Sequence, residues 1–293
     1  MATDLKRQER RAIGRALLIV VTGLLLAASG FSLFNGQNDA RTALIERFEL
    51  RAAIASDFLA TYVADLMSAQ ARTAVQYLSD LDPSHDDLAR ASASLGFQAS
   101  VLLDSDGHLL QVFPQKVEML GQDMTVAYHH LLRARQGLVA VSDVVPSAVD
   151  GIPITAFAVP FDTSFGRRVF SGALAIVSTP LKAFLNEVSP IANSEAYLVD
   201  SLGATVASDT VAGIQDQNSP LVEALASSDR GQYRIGPEAG WFVSVAVSGT
   251  PWHLIIAAPE ADIFAPLSGA AMWTPWLLFG TLVGCAIAIL LLM

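Results

Sequence analysis

Two blocks of the chain carry no charge at all, residues 17–34 and 272–293. The first, LLIVVTGLLLAASGFSLF, has 18 residues, about the lower limit for a helix crossing a ~30 Å hydrocarbon core. The second opens with Trp273 and Trp276, amphipathic rings of the kind that favour the lipid–water interface. Both are predicted to be transmembrane helices.

Between these blocks the periodicity changes twice. Over residues 37–80, Leu44, Phe48, Ala52, Ala55, Leu59, Tyr62, Leu66, Ala69, Thr73 and Gln76 recur three or four apart, and only the last two are polar. That spacing predicts one amphipathic helix, roughly 66 Å long at 1.5 Å per residue. No proline precedes Pro83, and Gly36 is the one glycine between the first uncharged block and that proline. A helix of this length leaving a membrane is expected to act as a stalk that pairs with a second copy along its apolar stripe. A long packing helix with no part in signalling fits the same pattern.

Asp82-Pro83-Ser84-His85 breaks the helix, and a short helix over 86–95 follows. Strands are then predicted over 99–104 and 108–113, joined at Ser105-Asp106-Gly107, because Asp-Gly suits a tight hairpin turn. A helix over 122–136, strands over 138–145, 152–159 and 170–178, and a linking helix over 180–188 complete this part. Val101-Leu102-Leu103-Asp104-Ser105-Asp106-Gly107 then returns 96 residues later as Tyr197-Leu198-Val199-Asp200-Ser201-Leu202-Gly203. A repeat at this spacing implies a repeated structural unit. The second copy is shorter, with a helix over 219–227 and strands over 231–235, 240–247 and 252–258.

The predicted fold is therefore α+β. Two similar modules, each an antiparallel sheet flanked by helices, follow a long N-terminal helix, and a membrane helix lies at each end. The expected boundaries are a tail over 1–16, a first membrane helix over 17–34 and a stalk over 35–82. A distal module over 83–187, a proximal module over 188–271 and a second membrane helix over 272–293 follow.

Charge sets the expected orientation. Residues 1–16 hold Lys6, Arg7, Arg10, Arg11 and Arg15 against Asp4 and Glu9. Positive flanks stay in the cytoplasm, so residues 35–271 are expected outside the inner membrane. A cleaved signal peptide is the alternative reading of residues 1–34, with Ala27, Ala28, Ser29 and Gly30 as small residues for cleavage. The 35–271 segment has 13 basic and 26 acidic residues. Nucleic-acid binding, which needs clustered Lys and Arg, is not expected. The single cysteine, Cys285, lies in the second uncharged block, so the outer segment has neither a disulfide nor a thiolate metal site.

The order of parts resembles the double Cache sensor domain of bacterial transmembrane receptors, which implies that the two modules are PAS-like. The resemblance rests on Leu103-Asp104-Ser105-Asp106-Gly107, Leu120-Gly121-Gln122-Asp123, Val141-Ser142-Asp143-Val144-Val145, Gly151-Ile152-Pro153-Ile154 through Ala158-Val159-Pro160, and Gly172-Ala173-Leu174. In the second module it rests on Val199-Asp200-Ser201, Gly240-Trp241 and Pro251-Trp252-His253-Leu254. It implies that the distal module binds a small molecule such as an amino acid, amine or carboxylate. It also implies that the proximal module relays the change, and that a cytoplasmic output domain such as a diguanylate cyclase or histidine kinase lies beyond Met293. A homodimer is expected. The amino-acid-binding subgroup of that family carries an arginine before an aromatic pair, and a later aspartate. Here Thr125-Val126-Ala127-Tyr128-His129-His130 supplies one aromatic and no arginine, and Ala175-Ile176-Val177-Ser178 supplies no aspartate.

Candidate ligand contacts are Tyr128, Asp143, Phe157 and Phe161, a mostly apolar set with a few polar groups. Asp143 would face an amine. Arg133 would face a carboxylate if the helix register were shifted. Ordinary core packing for the aromatics and a solvated turn for Asp143 are the alternatives. His129 and His130 are not expected to bind metal, because adjacent helical side chains point about 100° apart. No cofactor is expected. No phosphate loop, G-x-S-x-G elbow or HExxH occurs, so the chain is read as a sensor rather than an enzyme. A membrane-tethered binding or adhesion module without output is the second reading.

Overall fold

The computed structural model describes residues 2–149, 151–175, 181–188, 191–208 and 220–292. The chain divides into two compact units, Met1–Phe48 with Ala261–Met293, and Glu49–Glu260. Helix α1, Ala2–Tyr77, begins in the first unit and ends in the second.

The unit formed by the two chain ends is helical. Two helical stretches, Leu17–Tyr77 and Ala265–Ile289, are long and apolar enough to cross a membrane, and none of their most apolar windows is buried by protein. Within this unit, Gln37 Oε1 accepts from Trp276 Nε1 and Gln37 Nε2 donates to the Met272 carbonyl, each at 3.2 Å.

In the other unit α1 meets two sheets. Ser84 starts α2 (His85–Leu95) with a reciprocal cap: its hydroxyl takes the Asp87 N–H, and the Asp87 carboxylate takes the Ser84 N–H. Strands β1 (Ala99–Leu103) and β2 (Leu109–Phe113) form the first hairpin. Helix α3 (His129–Arg135) and strands β3 (Ala140–Val141), β4 (Val145–Pro146), β5 (Pro153–Thr163) and β6 (Gly166–Ala175) complete the first module. Its sheet order is β2-β1-β6-β5-β3, with β4 also on β5. Helix α4 (Leu181–Val188) leads to β7 (Glu195–Val199), β8 (Thr205–Ser208), α5 (Pro220–Ser227), β9 (Arg230–Ile235), β10 (Glu238–Ala246) and β11 (His253–Pro259). The second sheet runs β8-β7-β11-β10-β9, the topology of the first. Helices α6 (Glu260–Ile263) and α7 (Ala270–Leu292) close the chain.

The repeat has a physical cause. Asp104 Oδ1 accepts the N–H groups of Asp106 and His108, each at 2.9 Å, and Asp200 Oδ1 accepts those of Leu202 and Ala204 at 2.9 and 2.7 Å. One carboxylate thus closes each hairpin at the same two offsets, and Gly107 and Gly203 take the positive φ that the turn requires (94° and 81°).

Three predictions need correction. The helix expected over 122–136 is only α3. Asp123 Oδ1 accepts the N–H and hydroxyl of Thr125 at 2.8 and 2.6 Å, and such local bonds compete with helix. The strand expected over 138–145 is split, because residues 142–144 turn towards the second module. Residues 176–178 of the strand expected over 170–178, and residue 219 of the helix over 219–227, lie outside the described residues.

The third correction concerns the apolar stripe of α1. Phe48, Ala52, Ala55 and Leu59 are buried as the periodicity suggests, but the buried line continues through Val63, Met67, Gln70, Ala74 and Leu78. Between Ser56 and Gln70 it meets the chain's own sheets. Ser56 Oγ donates to the Ala246 carbonyl of β10, and Gln70 Nε2 donates to the carbonyls of Phe157 in β5 and Phe170 in β6 at 2.7 and 3.0 Å. The C-terminus of α1 is closed by Arg168 of β6, whose guanidinium donates to the carbonyls of Leu78, Asp80 and Leu81. Its positive charge suits the negative end of a helix. Phe48 and Leu59, the natural positions at which to test pairing, are 3% and 0% exposed, so charge there disrupts folding. Leu59→Ala should lower unfolding free energy by about 2–5 kcal/mol, measured by denaturant melts followed by circular dichroism.

Candidate functional site

A cavity lies on one face of the first sheet. Its floor is Ala99, Ser100 and Val101 of β1, Ile154 and Ala156 of β5, and Ser171 and Ala173 of β6. Met124, Tyr128, His130 and Leu131 close one side, and Val145, Ser147, Ala148 and Val149 the other. The empty space is about 400 Å³, part of it open to solvent, and a water molecule's centre can occupy about 40 Å³ of it.

Local chemistry places these side chains. The Asp123–Thr125 turn ends the chain's run along the β1–β2 hairpin and delivers Tyr128 to the start of α3, where its hydroxyl lies 3.3 Å from the Pro146 carbonyl. Burial pushes the Tyr128 phenol above its ordinary pKa. His129 points out and His130 in, as the 100° step of a helix requires. His130 is 6% exposed, and its ring meets that of Tyr128 edge-on at 5.9 Å. Burial, and to a lesser extent His129, lower its imidazole from 6.5 to about 4. It is therefore neutral at pH 7.

Of the residues picked from sequence, Tyr128 alone lines this cavity. Phe157 and Phe161 are core, 0% and 5% exposed; Phe157 meets Trp252 edge-on at 5.9 Å. Arg133 is exposed on α3. The expectation that Asp143 faces a ligand amine is corrected: its Oδ1 accepts the N–H and hydroxyl of Ser201 in the second module, at 3.2 and 2.7 Å. The lining also includes His130 and, beyond the 121–145 segment expected to face the sheet, Ser147, Ala148 and Val149. Two adjacent histidines invited a metal reading, and nothing in a helical pattern says which of the two turns inward. Asp104, Asp106 and His108 bring ligand atoms within 4.8 Å of one another, but Asp104 is engaged by the hairpin's own N–H groups, which is the work a tight turn needs.

Asp143 belongs to a clamp between the modules. Asp200, 2% exposed, takes the Val144 N–H on Oδ2 at 2.8 Å while Oδ1 holds its own hairpin. Trp252 Nε1 donates to the Ser142 carbonyl at 3.2 Å. Residues 142–144 are thus gripped by the second module from three directions, and the next residue, Val145, lines the cavity.

No protein-family profile matches the chain, and no curated protein sequence does. Its two-module fold is similar to that of solved ligand-binding domains of bacterial chemoreceptors, the architecture that the double Cache resemblance implies. The ligand-binding domain of the Pseudomonas fluorescens chemoreceptor CtaA, in complex with L-isoleucine, superimposes with a TM-score of 0.61 at 19% identity, over 80% of this chain and 100% of that one. That of the Pseudomonas aeruginosa PAO1 amino acid chemoreceptor PctB, in complex with L-Arg, gives 0.57 at 14% identity over 80% and 98%. That of Campylobacter jejuni Tlp3, in complex with 4-methylisoleucine, gives 0.52 at 14% over 82% and 97%.

His130 makes the module sensitive to acid. The folded state binds its proton only near pH 4, whereas an unfolded histidine binds it near 6.5. Stability should therefore fall as pH drops through that window, by at most about 3 kcal/mol. Urea melts of the wild type should show this loss between pH 6.5 and 4, and His130→Gln should flatten it. Asp87 and Asp123, whose hydrogen bonds lower their pKa below 3.8, act only at lower pH.

Proposed function

We propose that this chain is the sensing region of a transmembrane receptor, in which the first module binds a small molecule outside the cell and the second passes the change to the membrane. The observation that carries this reading is the continuity from cavity to clamp. Val145 lines the cavity, and Val144, its neighbour, gives its N–H to Asp200. A ligand that draws the 145–149 segment inward must pull on residues 142–144 and hence on the second module. It can shift the receptor only by binding one clamp geometry more tightly than another. The similar chemoreceptor domains were solved with amino acids bound, which supports a small-molecule ligand here. The catalytic output, of the diguanylate cyclase or histidine kinase kind, would belong to a cytoplasmic domain.

A thermal-shift screen of amino acids, amines, carboxylates and alcohols on the purified chain should find a stabilising compound. Tyr128→Ala should abolish that shift while leaving the circular dichroism spectrum unchanged. In hydrogen exchange, the same compound should alter protection at Val144, Leu202 and Ala204. A compound that binds Tyr128→Ala normally, or that protects only the second module, contradicts the assignment.

The proposed topology is a cytoplasmic N-terminus with the modules on the far side of the inner membrane, supported by the basic tail and the two exposed apolar helical stretches. We place the pairing with a second copy on the face of α1 that carries Leu50 and Ile54, four apart and 58% and 61% exposed. A single cysteine tests both. In a Cys285→Ala background, Ile54→Cys should react with a membrane-impermeant thiol reagent on intact cells, and mild oxidation should link two chains. Labelling only after lysis contradicts the sidedness, and labelling without cross-linking contradicts the pairing.

A further inference from the structure

The lining of the first-module cavity says which chemistry it accepts. Among the described residues no Asp, Glu, Lys or Arg lines it. Its polar groups are two serine hydroxyls on the sheet, the Tyr128 hydroxyl, His130 and Ser147. Several are already engaged. Ser100 shares a hydrogen bond with Ser92 at 2.5 Å, Ser147 Oγ accepts the Val149 N–H, and Tyr128 donates to Pro146. His130 and Ser171, 6% and 4% exposed, have no hydrogen-bond partner among the described residues. Neither has its polar atoms sealed from solvent without a partner, so both are open to a ligand group.

We infer that this cavity takes a small, uncharged, largely apolar molecule bearing a hydroxyl, carbonyl or amide, read by His130 and Ser171, and that it rejects free amino acids, amines and carboxylates. The inference rests on the first module being the sensing site and names the class of compound it senses. A neutral imidazole and a hydroxyl can each donate one hydrogen bond and accept another, which matches a neutral polar group from both sides. An ammonium or carboxylate would enter this lining without a counter-charge, and an unpaired buried charge is strongly disfavoured. A single histidine could neutralise an anion only as imidazolium, the form that burial suppresses here. Size points the same way. Room for water centres of about 40 Å³ corresponds to roughly three waters, suited to a molecule of a few heavy atoms. The amino acids bound to the similar receptor domains carry both charges, and among the described residues no side chain of either sign lines this cavity.

Four compounds with one branched skeleton separate charge from shape: 3-methyl-1-butanol, 3-methylbutylamine, isovalerate and L-leucine. Binding is followed by ligand-observed NMR on the full chain in lipid nanodiscs, with empty nanodiscs as the blank for partitioning into lipid. The alcohol should bind more than about tenfold tighter than the three charged compounds. His130→Leu and Ser171→Ala should each weaken it, by about fivefold, and Ala173→Leu should fill the cavity and abolish it. Ser171→Ala deletes one oxygen and keeps the test readable if the larger changes misfold. Equal or tighter binding of a charged compound overturns the inference; if Ala173→Leu removes that binding, the site itself stands. Failure of the alcohol to bind also overturns it. Alcohol binding untouched by all three substitutions overturns both the inference and the site.

Discussion

The unit Glu49–Glu260 depends on one constraint, that a long helix must find partners for a buried face and for its last carbonyls. Helix α1 meets both needs on the sheets of its own chain. Leu59, Val63 and Met67 exclude water along one side, and Ser56 and Gln70 donate to strand carbonyls in the second and first modules respectively. Arg168 then takes the final turn, in place of the glycine that commonly ends a helix. Both modules are thereby indexed to the same helix. A small change of one sheet against α1 cannot be absorbed locally without breaking a buried hydrogen bond, and such groups are costly to leave unsatisfied.

The second link between the modules reuses the first hairpin's chemistry. Asp104 and Asp200 each hold their own turn through one oxygen. The remaining oxygen differs in use. In the first module it lies 3.6 Å from the His108 ring, at the surface. In the second it reaches across to Val144 and is buried. The same local motif is a turn in one place and a clamp in the other, and only its neighbours decide which.

The cavity shows how far a family likeness carries. The fold matches receptor domains solved with amino acids, yet the lining carries no charged side chain among the described residues. Fold and ligand chemistry are separable: the sheet supplies a floor, and the residues on β1, β5, β6 and the 145–149 segment choose what lies on it.

Much of the architecture was legible in the sequence. Uncharged blocks, the three-and-four spacing of α1, the Asp-Gly turn and the 96-residue echo are local or periodic signals, and local backbone preference sets them. The repeat even marked Asp200, although not its second role. Other features were out of reach. The buried line of α1 moves from Tyr62 and Leu66 to Val63 and Met67, because the helix passes from the second sheet at Ser56 to the first at Gln70 and the covered side changes on the way. The shortening of α3 and the splitting of β3 from β4 follow from bonds at Asp123 and residues 142–144. Phe157 and Phe161 looked like pocket aromatics and are core, while His130 looked like half of a pair and is one of the polar groups lining the cavity. Spacing along the chain determines which residues share a face. Whether that face meets a sheet, a cavity or water is decided by what other segments, distant in sequence, bring against it.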